Sequence, residues 1–97
     1  MDESAVKQQA TAHGDAVVAG DMRTAGQDLT KEAMGQAGDV MGRLPKPLAG
    51  AEVLDVTADG GAFVARIAYR GQDSETVVAS RWEERDGSPK ITNLSLE

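Results

Sequence analysis

The sequence predicts an α+β domain in which N-terminal helices pack on one face of a curved four-stranded antiparallel meander. Three observations carry that expectation. Apolar residues recur at helical spacing through residues 4–44, whereas residues 50–96 alternate with a period of two. Pro45 and Pro47 punctuate the change, because proline removes a backbone donor and biases its predecessor toward extended conformations. Two Asp-Gly pairs, Asp59-Gly60 and Asp86-Gly87, are strong hairpin signals inside the second half. A chain of 97 residues has room for one domain, with a helical layer over residues 4–44 and a sheet over residues 50–96.

The first helix is expected over residues 4–19. Ser4 is placed as its N-cap behind Asp2 and Glu3, whose charges suit the positive helix end. Val6, Ala10, His13 and Val17 share one face, and Gly20 is a natural left-handed stop. Gly14, inside the helix, costs roughly 1 kcal/mol against alanine and implies close packing or a kink. Asp21 caps a short second helix over residues 22–28. Thr30 caps a third, on which Met34, Ala37, Met41 and Leu44 share a face. Gly35, Gly38 and Gly42 weaken that helix, so its stability must come from docking.

Strands are expected over residues 51–58, 62–70, 75–85 and 89–96. With tight turns, Val56 falls opposite Phe63, Leu54 opposite Ala65, Ile67 opposite Val78, Phe63 opposite Trp82, and Trp82 beside Ile91. One face then holds these residues with Glu52, Tyr69, Thr76, Ser80 and Asn93. It owns all three aromatics, so the helices are placed against it. The other face holds Val53, Val64, Ala68, Val77, Ala79 and Leu94 with Asp55, Arg66 and Arg81. That mixture suits a homodimer interface with an arginine rim, formed by Val53, Val64, Arg66, Val77, Ala79, Arg81 and Leu94. An ordinary half-exposed antiparallel face alternates in the same way.

Composition excludes several classes of function. The chain has no cysteine, so it has no disulfide, thiolate nucleophile or thiolate metal site, and its one histidine excludes two-histidine motifs. A net charge of −6 with three aromatics is not the footprint of a nucleic-acid binder. No run of eighteen apolar residues is present, so no membrane span is read. No dinucleotide fingerprint, P-loop or nucleophile elbow occurs, and no cofactor is expected. Of the 40 % apolar residues, fifteen are alanine, which bury little area, so dimerisation would help a marginal core. Met1-Asp2-Glu3 is not a signal-peptide start, and a native Met1 implies the cytoplasm. An accessory domain excised from a longer extracytoplasmic protein would carry the same pattern.

Two segments carry a family resemblance. Ala16-Val17-Val18-Ala19-Gly20-Asp21 is an alanine-rich helix end that stops at Gly-Asp before a second helix. Ser80-Arg81-Trp82-Glu83-Glu84-Arg85-Asp86-Gly87-Ser88-Pro89-Lys90-Ile91 is a strand–Asp-Gly–strand hairpin. In this order of elements the chain resembles the nuclear transport factor 2-like (cystatin-like) superfamily, which includes SnoaL-like and ketosteroid-isomerase-like proteins. The resemblance implies a curved sheet wrapped around a long helix, a conical pocket and frequent homodimers. It also implies either enzymes (isomerases, dehydratases, cyclases, epoxide hydrolases) or non-catalytic binding domains. This chain is a short variant, without the extra strand or lid helix that often closes the pocket. Neither the isomerase Tyr/Asp pattern nor the epoxide-hydrolase Asp-Arg-Asp relay finds a match in it.

The candidate pocket residues are His13, Glu52, Phe63, Tyr69, Ser80, Trp82 and Asn93. His13, the one residue of the only type whose unperturbed pKa lies near neutrality, sits on the apolar stripe of the first helix, as a pocket base or as a hydrogen-bonded structural histidine. The polar groups on the helix-facing side suit a pocket with few placed donors, or wetted strand ends. Trp82 and Phe63 read as core before ligand platform. Glu83, Glu84 and Asp86 fit no calcium loop and read as a solvated hairpin. No metal site is expected. The reading favoured is a non-catalytic domain that binds a small apolar ligand or a protein. The rival is a small isomerase, dehydratase or cyclase with His13 and Tyr69 in proton transfer.

Overall fold

The computed structural model describes residues 1–97. Helices α1 (Glu3–Ala19), α2 (Met22–Gln27) and α3 (Lys31–Gly42) precede strands β1 (Gly50–Asp59), β2 (Ala62–Arg70), β3 (Glu75–Arg85) and β4 (Ser88–Leu96). The strands form one antiparallel sheet in the order β1-β2-β3-β4, curved and unclosed, with the helices on one side. The α+β expectation therefore holds. No helix is long and apolar enough to cross a membrane.

Each helix begins at a side-chain cap. Asp2, not Ser4, caps α1: its carboxylate accepts from the Ala5 N–H at 2.8 Å. Asp21 and Thr30 cap α2 and α3 as expected. The Thr24 hydroxyl and then its backbone N–H hold the Asp21 carboxyl below the usual range. Gly20 ends α1 in the left-handed conformation, and its N–H bonds back into the last turn.

The hairpin turns set the registers. Gly60 and Gly61, both at positive φ, form the first turn, one residue later than expected, so Val56 pairs with Ala65 and Ala58 with Phe63. Asp86 and Gly87, also at positive φ, form the second turn where expected. Between β2 and β3 the pairs are Phe63 with Trp82, Ile67 with Val78 and Tyr69 with Thr76, and Trp82 meets Ile91 on β4.

Two irregularities then invert parts of the outer strands. Leu54 is an extra residue in β1 between the Val53–Ile67 and Asp55–Arg66 pairs, and Thr92 is an extra residue in β4 between Ile91 and Asn93. One extra residue exchanges the faces of everything beyond it. Glu52 and Asn93, expected under the helices, thus lie on the outer face, opposite Ala68 and Arg81, and both are exposed. Val53 and Leu94, expected outside, turn inward against the core.

The core lies between the helices and the inner face of the sheet. Trp82, Ile67, Ile91 and Val6 are its largest fully buried side chains. Gly14 is what lets α1 approach: a Cβ built there would lie 3.1 Å from the Ala51 Cβ and 3.6 Å from Ile67. The alternative of a kink is not needed, since α1 runs unbroken through it.

On the outer face the arginines are paired within the chain. Arg66 bonds Asp55 and Glu97, Arg70 bonds Glu52 and Glu75, and Arg81 bonds Asp59 and Glu83. Arg66 in turn holds the Glu97 carboxyl below the usual range. Between them run half-buried Val64, Val77 and Ala79.

Candidate functional site

Helix α1 seats on β1 and β2, whereas α3 rests on β4 at the far edge of the sheet. Between them lies a cavity of about 210 Å³ under α3, lined by fourteen residues of which twelve are hydrophobic. Val17, Ala25, Leu29, Val40, Leu44, Val78 and Leu94 form its apolar walls, and Met22, Met34 and Met41 supply flexible sulfur-bearing chains. Met22 and Met34 are 46 % and 57 % exposed, so the cavity reaches the surface between α2 and α3.

Two polar side chains break this apolar lining, and both were singled out from the sequence. His13 is 6 % exposed and Tyr69 3 %. His13 is held from two sides. Its Nδ1 donates to Asp28 Oδ2 at 3.1 Å, and its ring meets that of Trp82 edge to face at 6.2 Å between centroids. A carboxylate only accepts, so the hydrogen lies on Nδ1, and in the neutral ring Nε2 presents its lone pair.

Asp28 is the residue that sequence reasoning missed. It looked like the last residue of a short polar helix, yet it is 5 % exposed. Its second carboxylate oxygen accepts from the Gln9 side-chain amide at 2.7 Å. Its backbone carbonyl accepts from the Ile91 N–H at 2.6 Å, and the Thr30 N–H donates to the Ile91 carbonyl at 2.9 Å. This short parallel bridge between the α2–α3 connection and β4 carries Asp28 beneath His13. No pattern of apolar spacing foretells it, because the bridge joins residues 62 positions apart (29 and 91).

No polar side-chain atom is both sealed from solvent and without a partner. His13 Nε2 and the Tyr69 hydroxyl make no hydrogen bond inside the chain, so both retain access through the cavity that their residues line. Burial pushes the Tyr69 phenol well above its usual range, which keeps it protonated and able to donate.

The remaining candidates do not line the cavity. Ser80 and Trp82 are wholly buried beneath it: the Trp82 indole N–H donates to the Ser80 hydroxyl at 2.9 Å, which donates to the Ala65 carbonyl at 2.8 Å. Phe63 packs at the edge of the core. Glu52 pairs with Arg70, and Asn93 accepts from the Gln36 side chain at 2.8 Å, which also accepts from the Leu94 N–H at the free edge of β4. No three His, Cys, Asp or Glu side chains converge to hold a metal ion. Comparison with protein-family models, with curated proteins and with solved structures finds no match.

Proposed function

We propose that the chain is a small-ligand-binding domain, a short variant of the nuclear transport factor 2-like architecture, whose site is the cavity beneath α3. One observation carries this reading: an apolar cavity of about 210 Å³ lined by two largely buried residues, His13 and Tyr69, whose Nε2 and hydroxyl make no hydrogen bond within the chain. Concave apolar sites with a few oriented polar groups are the usual form of small-molecule sites. Titrating the ¹⁵N,¹³C-labelled protein with a library of small apolar compounds tests it. The expected result is saturable shifts in the His13, Val17, Val78 and Leu94 resonances with the rest of the spectrum unmoved; silence across the library overturns the proposal.

The His13–Asp28 pair favours one second reading, a proton-transfer enzyme. In it Nε2 takes a proton from the ligand, Asp28 steadies the imidazolium, and the Tyr69 hydroxyl donates to the oxygen that gains charge. New ligand resonances appearing with time in the same titration, and absent with His13→Gln, distinguish turnover from binding.

The strip of Val64, Val77 and Ala79 supports a homodimer through the outer face. The three arginines there are outnumbered by their six carboxylate partners, so two copies meeting would repel until screened. Light scattering should show a mass that rises with salt and a Val64→Asp/Val77→Asp variant that stays monomeric. A wild-type monomer at all salt concentrations overturns this.

A further inference from the structure

The cavity's dimensions and its two uncommitted polar groups restrict the ligand to a narrow class. We infer that the site takes a neutral, single-ring molecule bearing a hydroxyl, of the size and polarity of a simple phenol; this rests on the ligand-binding reading above.

Size sets the first limit. A cavity of about 150 Å³ with aliphatic walls holds one benzene ring. The cavity here, about 210 Å³, admits one ring with a few substituent atoms.

Charge sets the second limit. No lysine or arginine lines the cavity, and the Asp28 carboxylate stands behind His13. An anionic ligand would lose its hydration without a cationic partner and face a like charge. A cation would find the Asp28 carboxylate already occupied by His13 and Gln9.

Hydrogen bonding sets the third. With Nδ1–H committed to Asp28, the neutral His13 ring offers an acceptor at Nε2. Tyr69 offers a donor. A site built from one acceptor and one donor discriminates most strongly against analogues that leave either unmet, because a buried polar group without a partner is costly. A hydroxyl is the smallest group that supplies both a donor and an acceptor. An ether supplies only the acceptor, and a hydrocarbon supplies neither. The three methionines allow the walls to adjust around differently substituted rings, so ring substitution should matter less than the hydroxyl.

The test is a panel of one-ring probes followed by ¹H–¹³C shifts of the cavity methyls: toluene, 4-methylanisole, p-cresol and 4-methylbenzoate at pH 7. The expected order is p-cresol at least about tenfold tighter than toluene, from the net worth of two hydrogen bonds, with 4-methylanisole between them and 4-methylbenzoate weakest. Tyr69→Phe, nearly isosteric, should weaken p-cresol several-fold and leave toluene unchanged. If toluene and p-cresol bind equally, the cavity is a ligand site but the hydroxyl inference fails. If 4-methylbenzoate binds best, the charge argument fails. If no probe moves a cavity methyl, the ligand-binding reading itself fails.

Discussion

Helices α1 and α3 are both interrupted by glycine, yet they are held in different ways. Helix α1 buries Val6, Ala10, His13, Gly14, Ala16 and Val17 against the sheet. Helix α3 buries only Ala33 and Val40, and it is tethered through the Thr30 bonds to Ile91 and the Gln36 bonds to Asn93 and Leu94. The glycines show the contrast most directly. A Cβ at Gly14 meets Ala51 at 3.1 Å, whereas one at Gly35, Gly38 or Gly42 meets nothing within 4 Å. Close approach explains the first; no packing contact explains the other three. The cavity lies between these unequal walls. Its polar groups, His13 and Tyr69, stand on one side, on α1 and β2, while α3 contributes Met34, Ala37, Val40 and Met41. The polar groups thus stand on the closely packed wall, and the methionines of α3 on the loosely packed one.

Alanine substitution converts this comparison into a measurement. Gly35→Ala with Gly38→Ala should stabilise the protein by about 2 kcal/mol, at roughly 1 kcal/mol for each interior helical glycine replaced. That corresponds to a rise in Tm of about 10 °C for a domain of this size. Gly14→Ala gains the same propensity but drives its methyl into Ala51, and overpacking of that kind offsets the gain, so Tm should stay level or fall. Thermal unfolding followed by circular dichroism reads both. An equal rise for Gly14→Ala would show that α1 has slack against the sheet, and the distinction between the two helices would collapse.

The central hairpin was legible in the sequence because its cause is local. The short Gly71–Ser74 connection places β2 against β3, and alternation carries Phe63, Ile67 and Tyr69 onto the face shared with Trp82 and Val78. The outer strands were assigned to the wrong face only beyond their extra residues, although the first turn also shifted the β1 register. Leu54 and Thr92 are ordinary strand formers, and nothing in their type marks a bulge, so Glu52 and Asn93 were assigned to the pocket while Val53 and Leu94 were assigned to the surface. His13 and Tyr69 were found because each sits where simple periodicity holds, one on a helical stripe and one before any irregularity in β2. Asp28 was not, since its place depends on a bridge to β4 that forms only once the fold has closed. Met34 shared a helical face with Met41 and Leu44 in the sequence, yet it is 57 % exposed because α3 reaches over the cavity rather than into the core.

The smallest effect concerns Tyr69, and it measures how far water enters beneath α3. Burial raises the phenol's folded pKa above its unfolded value of about 10, because the phenolate would lose its hydration. The sign follows from linkage. Below about pH 10 the phenol is neutral in both states and the stability is fully present; it is lost as pH rises from there toward the folded pKa, because only the unfolded chain ionises readily. The chain has one tyrosine and one tryptophan, so phenolate absorbance and indole fluorescence report separate events at known positions. In the native protein the phenolate signal should appear well above the value for free tyrosine, together with the loss of the buried Trp82 emission. If Tyr69 instead ionises at the ordinary value while Trp82 emission stays native, α3 opens often enough to wet the cavity floor. The hydroxyl would then meet bulk water rather than a ligand, and the donor assigned to the closely packed wall would be lost.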